Sequence, residues 1–153
     1  MSWTPSPRSA PEDERREKRV VLDTNVLIAA TFWDGVPRKL IRSVEEHRFV
    51  LVLSEYLLQE YRETLETSHI QDKVRKNGLL LRLTEAHIRN LSDIVEERTP
   101  VDIVADDPDD NHVLACALDG AATHLVTRDR DLLRIGVWQG IRIMTPEEFF
   151  ESL

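Results

Sequence analysis

The chain has 153 residues, 41% of them hydrophobic and 31% charged, which suits one folded domain with its own core and excludes a disordered chain. Its single cysteine, Cys116, excludes a disulfide framework and a cysteine-rich zinc site and favours a reducing cytoplasm; no apolar run approaches the ~20 residues of a membrane span, and the N-terminus lacks the apolar stretch of a signal peptide. The net charge of −8 argues by itself against a nucleic-acid binder, yet a carboxylate cluster built for divalent cations gives the same balance, and bound metal inverts the local sign.

Met1 to Lys18 carries Pro5, Pro7 and Pro11, a mixed-charge run and little apolar surface beyond Trp3, so a disordered leader is expected, with the domain spanning 19–153. Arg19 to Asp23 is a short β-branched apolar run ending in an acid, expected to be a buried strand. A helix is expected to follow through Val26–Ala30. The break Asp34–Pro37 places Pro37 in the first turn of a second helix, running to about His47. Phe49 to Leu53 reads as a second strand, with Ser54 as N-cap of a helix from Glu55 to about Leu65.

The middle is more basic, with Lys73, Arg75, Lys76, Arg82 and Arg89. Asn77-Gly78 marks a turn, and Thr84 is expected to cap a helix to about Arg98, with Ile88, Leu91 and Val95 on one face. Val101 to Val104 fits a short strand or an extended connection. The acidic turn Asp106 to Asp110 leads into a helix, Asn111 to Leu118, ended by Gly120. His124–Thr127 and Ile141–Met144 supply two more strands. Thr145 with Glu148 forms a capping box for a terminal helix. Alternating strands and helices imply an α/β fold around a mainly parallel sheet of four or five strands.

In such sheets, sites form beyond the C-terminal ends of the strands. Asp23 ends the first strand, Asp129 lies just past the third, Asp110 opens a helix, and Glu60 lies in the helix after the second strand. Carboxylates held together repel one another, and divalent cations remove the conflict. Oxygen ligands with neither cysteine nor a histidine pair favour Mg²⁺ or Mn²⁺ over zinc, and such ions suit phosphodiester hydrolysis.

Leu22-Asp23-Thr24-Asn25-Val26 resembles the opening motif of PIN domains. Glu60 within Ser54–Tyr61 resembles their helical second acid, Asp110–Ala117 their acid at the head of an alanine-rich helix, and Leu125–Asp129 their strand ending in Thr-x-Asp. The closing Ile141–Phe149 is similar to a prokaryotic subgroup held to be toxins of toxin–antitoxin pairs. Four motifs in order from Arg19 onward make the resemblance specific. It implies a three-layer PIN-like fold and a single-strand endoribonuclease using Mg²⁺ or Mn²⁺, cleaving by in-line attack of water to leave a 5′-phosphate and a 3′-hydroxyl. By position it implies Asp23, Glu60, Asp110 and Asp129 as acidic metal-site residues, Asn25 and Thr127 as polar supports, and Asp107 as a reserve ligand. RNA, a cognate antitoxin and a second copy of the chain are the implied partners, with no membrane.

Blander readings stand beside each of these. Asp23, and all four acids of the 106–110 turn, could serve only as helix caps, Asp131 could cap the turn after Asp129, and Glu60 could sit on a solvated helix face. His112 is expected on a helix surface, Cys116 in the core, and Trp33 and Trp138 in packing. The basic middle could track an RNA backbone or be a solvated face. Two rival functions are a haloacid-dehalogenase-type phosphatase, which needs an acid where this chain has Asn25, and a PIN fold used only for binding or assembly.

Overall fold

The computed structural model describes residues 17–67, 78–104 and 107–153, the stretch 78–83 by its backbone alone. The expected leader therefore lies outside the described residues except for its last two positions, as do Lys73, Arg75, Lys76, Asn77 and Asp106.

In chain order the elements are β1 (Arg19–Leu22), α1 (Thr24–Phe32), α2 (Val36–Glu45), β2 (Val50–Ser54), α3 (Glu55–Leu65), α4 (Gly78–Leu91), β3 (Ser92–Val95), α5 (Pro108–Asp119), β4 (His124–Val126), α6 (Arg130–Leu133), β5 (Val137–Trp138), β6 (Ile141–Met144) and α7 (Pro146–Ser152). They build an α/β fold whose six-stranded sheet has the order β3-β2-β1-β4-β6-β5. Every pairing is parallel except the short β5–β6 ribbon. Val20, Val21, Leu22, Leu51, Val52 and Leu53 are all fully buried, as expected of strands covered by helices on both faces. Helix α5 packs on β1, β2 and β4, whereas α1 packs between α2 and α3, and α7 rests on α2. The crossovers β1→β2 and β3→β4 run in opposite directions across the sheet, so right-handed connections put α5 on the face opposite α1. The sequence of α1 is apolar on nearly all sides, with Val26, Leu27, Ile28 and Ala30 buried, which is what a helix enclosed between neighbours requires.

The sheet has one strand more than the upper expectation, because β3 and β5 are both added while Val101–Val104, the possible fifth, is not a strand. The helix expected from Thr84 to about Arg98 instead runs over Gly78–Leu91, with Thr84 inside it, and residues Ser92–Val95 leave it to become β3. Ile94 and Val95 are β-branched, and the segment pairs in register with β2 from Leu51↔Ser92 to Ser54↔Val95. Long-range pairing thus overrides a helical spacing that Ile88, Leu91 and Val95 also satisfy. Val101–Val104 connects elements without forming a strand. The terminal capping box is present, with Glu148 N–H donating to Thr145 Oγ1 at 3.1 Å and Thr145 N–H to Glu148 Oε1 at 3.1 Å.

Gly120, which ends α5, is required for closeness and not for its dihedral angles, since its φ is −86°. A Cβ there would lie 2.5 Å from Val52 Cγ1 and 2.8 Å from the Cys116 carbonyl oxygen. Both obstacles belong to the packed layer between α5 and β2, so overpacking of about 1–3 kcal/mol is expected for Gly120→Ala. Thermal unfolding should show a loss of roughly 2–10 °C for a chain of this size.

Candidate metal centre

The chain leaves β1 toward β2 on one side and leaves β4 toward β6 on the other. The crevice between the C-terminal ends of β1 and β4 is therefore the topological switch point, where ligands of open α/β sheets bind. Register fixes what meets there. Leu22 pairs with Val126, so the residues just beyond, Asp23 and Thr127, are brought side by side. The Asp23 N–H donates to the Val126 carbonyl at 3.0 Å, and the Thr127 hydroxyl donates to Asp23 Oδ2 at 2.7 Å. The Asp129 N–H in turn donates to Thr127 Oγ1 at 3.0 Å. One fully buried hydroxyl thus locks the acid after β1 to the acid after β4.

The other acids arrive on helices. Asp107 is the N-cap of α5, and Asp110 lies three residues on, so both project from the same helical turn. Glu60 is on α3, between the buried Leu57 and Tyr61. Together Asp23, Glu60, Asp107, Asp109, Asp110 and Asp129 wall a cavity of about 240 Å³ that also meets Asn25. Oxygens of Asp107, Asp110 and Asp129 lie within 4.8 Å of one another.

All four sequence-predicted acids therefore share one cavity; of the two supporting residues, Asn25 is an exposed wall residue, whereas Thr127 is buried behind the wall and reaches it only through its bond to Asp23. The reserve residue Asp107 belongs to the closest group, while Asp23 and Glu60 stand beside it. Asp109 on the cavity wall was missed. The i, i+3 spacing of Asp107 and Asp110 across a helix start was a usable signal for the pair; nothing in the sequence singled out Asp109. The capping expectation holds for Asp23 and Asp107, whereas after β4 the cap is Asp129 itself and not Asp131. Asp23, Asp107 and Asp129 each accept a backbone N–H through Oδ1, from Thr24 at 2.8 Å, Asp109 at 3.0 Å and Asp131 at 2.8 Å. For Asp107 and Asp129 this leaves the second oxygen for another partner, so capping and ligand binding do not compete. His112 lies at the surface of α5 as expected, its side chain 42% exposed, but it is also stacked on Tyr56 and 2.8 Å from Glu97.

The electrostatics are those of a site short of positive charge. Among the described residues no cation lines the cavity. Burial, then the neighbouring carboxylates Asp129 and Asp107, push the Asp110 carboxyl up to about 7. Burial likewise raises Asp23 and Glu60 above the usual carboxylate range. Asp110 Oδ2, Glu60 Oε2 and the Thr24 hydroxyl are buried at this cavity without a hydrogen bond of normal length, with Thr24 close enough to Glu60 to offset part of its upward shift, and such groups are costly unless something else meets them. A divalent cation fits this donor set. It satisfies orphaned oxygens, offsets the repulsion, and is met only by hard oxygen ligands.

A pH dependence follows. Because the folded state holds the Asp110 proton up to about 7 and the unfolded chain releases it near 3.8, the folded state binds the extra proton between these values. Stability is then fully present at low pH and is lost as pH rises through 7. His124 acts oppositely. Burial lowers its imidazole to about 4, so its contribution grows as pH rises from about 4 and levels off about one unit above 6.5, offsetting part of the loss from Asp110. In a chelator, raising pH from 6.5 to 8 should therefore cost about 0.5 kcal/mol, or roughly 1–2 °C in Tm. Millimolar Mn²⁺ should flatten that slope, because the ion displaces the proton and binds only the folded chain. Equal slopes with and without the ion, followed by circular dichroism, would remove metal from this cavity.

No helix among the described residues is long and apolar enough to cross a membrane. No curated protein matches the chain. The family described as PIN domain matches residues 19–131, a span that contains all the acids above and the strands that carry them. With that match over most of its length, a mainly parallel sheet flanked by helices, and acids gathered at the switch point, the chain belongs to the PIN domain family.

Proposed function

We propose that the protein is a divalent-metal-dependent endoribonuclease of single-stranded RNA and the toxin of a toxin–antitoxin pair. PIN domains are generally metal-dependent nucleases, and this chain keeps an acidic group able to hold metal. The observation that carries the reading is a carboxylate-walled cavity in which Asp110 Oδ2, Glu60 Oε2 and the Thr24 hydroxyl are buried without a normal hydrogen bond. A structural cluster of caps would not leave them orphaned.

In this reading Asp107, Asp110 and Asp129 hold the Mg²⁺ or Mn²⁺, with Asp23 and Glu60 completing the acidic wall. The bound ion supplies charge for a phosphate oxygen and acidity for a water at neutral pH. Thr127 keeps Asp23 and Asp129 at fixed separation through its two hydrogen bonds. Asn25, exposed at the rim, is placed to donate to a phosphate. Without the ion, six acidic side chains would repel the RNA backbone, so substrate binding itself should need the metal. Cleavage leaves a 5′-phosphate and a 3′-hydroxyl.

Incubating the protein with single-stranded RNA in Mg²⁺ or Mn²⁺, with a chelator control, tests this directly. Ion-dependent fragments carrying 5′-phosphates are expected. Tight Mn²⁺ binding without cleavage of any RNA would move the protein to the rival reading, a PIN fold used for binding. The toxin role further predicts slowed growth on expression of the nuclease alone, with relief by a small antitoxin that blocks the cavity. Normal growth with soluble, active enzyme would reject that role. The same reading places the protein in the cytoplasm as a homodimer.

A further inference from the structure

Beside the acidic cavity lies a second, larger one of about 410 Å³ at the C-terminal ends of β2 and β3, within the ~300–1,000 Å³ range of small-molecule sites. Its walls join the apolar side chains of Ile94 and Val95 to the rings of Tyr56 and His112. Those rings are stacked, with centroids 3.6 Å apart and planes 13° apart, yet Tyr56 stays 38% exposed. The pair is held from three sides. His112 Nδ1 lies 2.8 Å from Glu97 Oε1, so the carboxylate fixes the imidazole. The Ser54 hydroxyl donates to the other Glu97 oxygen at 2.7 Å. The Tyr56 hydroxyl donates to Asp109, which is itself a wall of the acidic cavity. The two cavities are thus joined through one hydrogen bond, and α5 contributes to both.

From this geometry, and resting on the ribonuclease reading, we propose that the second cavity is a nucleobase subsite, which takes a base next to the scissile phosphate of a single strand. A flat, rigid aromatic pair is the platform on which unpaired bases stack. Ile94 and Val95 supply apolar walls for the base edge. Glu97 can also read a base: each of its oxygens accepts one hydrogen bond, and a carboxylate has lone pairs for more. It therefore favours a base offering an exocyclic amine. The charge pattern selects a base over a phosphate, because Glu97 and Asp109 repel an anion and leave a neutral heterocycle unaffected. An ordinary helix-surface histidine would need neither the carboxylate nor the stacked tyrosine.

The test uses the full chain and a single-stranded RNA oligonucleotide carrying 2-aminopurine, bound in Ca²⁺ so that affinity is read without turnover. Wild type should quench the fluorophore on stacking. Tyr56→Ala should weaken binding roughly 5- to 100-fold, the range expected for loss of one stacked base. Tyr56→Phe, which keeps the ring and loses the hydroxyl, should stay within about 3-fold. In Mg²⁺ the Tyr56→Ala defect should appear mainly in KM. His112→Ala gives a second probe of the platform if Tyr56→Ala unfolds. Wild-type affinity in the folded Tyr56→Ala and His112→Ala proteins, or equal wild-type binding of an oligonucleotide with abasic positions, would overturn the subsite. Base-dependent binding with no RNA cleavage in Mg²⁺ or Mn²⁺ would uphold the subsite and overturn the nuclease instead.

Discussion

Asp110→Asn should lose ion-dependent RNA cleavage by at least about 100-fold while becoming more stable than the parent in the absence of metal. The first half follows from its place in the closest oxygen group, with Asp107 and Asp129. Groups that merely orient metal ligands typically cost ~10–100-fold when removed, so a ligand should cost no less. The second half follows from the raised carboxyl. At pH 8 the parent holds Asp110 ionised, 4% exposed, among like charges. The amide removes one of those charges and can donate to a neighbouring carboxylate. A gain of about 1–2 kcal/mol, or roughly 2–8 °C in Tm, is expected in chelator. Adding Mn²⁺ should raise Tm of the parent and leave the variant nearly unchanged. This crossing of stability and activity distinguishes a functional acid from a structural cap, whose loss lowers both. Asp23→Asn should lose activity alike, but with less gain in stability, because both Asp23 oxygens already accept hydrogen bonds in the fold. Full cleavage by both folded variants would reject the site.

Phe149→Ala should be the most damaging single truncation away from the site, costing about 3–5 kcal/mol, or on the order of 10 °C in Tm. Phe149 lies beyond residues 19–131 of the family match, yet it is fully buried. Its ring meets Phe49 edge-on at 5.2 Å and His124 at 5.1 Å. Lys18 Nζ sits 5.8 Å over the ring and donates to the Ser152 carbonyl at 3.0 Å, tying the start of the described domain to its last helix. These partners cluster where β4 begins, whereas the acids gather where β4 ends. Below its lowered Tm, the variant should therefore keep Mn²⁺ affinity within about 2-fold of the parent. A large loss of metal affinity at temperatures where the variant is folded would show that α7 shapes the site as well as the core.

Much of this molecule was written along the chain. Arg19–Leu22 and His124–Val126 are runs too apolar for anything but a covered strand, and each is followed at once by polar residues that cap a helix. An acid placed there is at a sheet's C-terminal edge whatever else the chain does. Thr145 and Glu148 make their capping box from residues three apart. Tertiary structure decided what depends on pairing between distant segments. The spacing of Ile88, Leu91 and Val95 fits one helix face, and only the neighbouring β2 pulls Ser92–Val95 away as β3. That switch also carries Glu97 to His112 and Ser54, fifteen and forty-three residues away, so the stacked Tyr56–His112 pair had no local signature. The same holds for the ranking of the acids. Local sequence gives Asp107, Asp109 and Asp110 similar claims at one helix start, and only the crossing of α5 over β1 and β4 chooses which of their oxygens are buried and crowded.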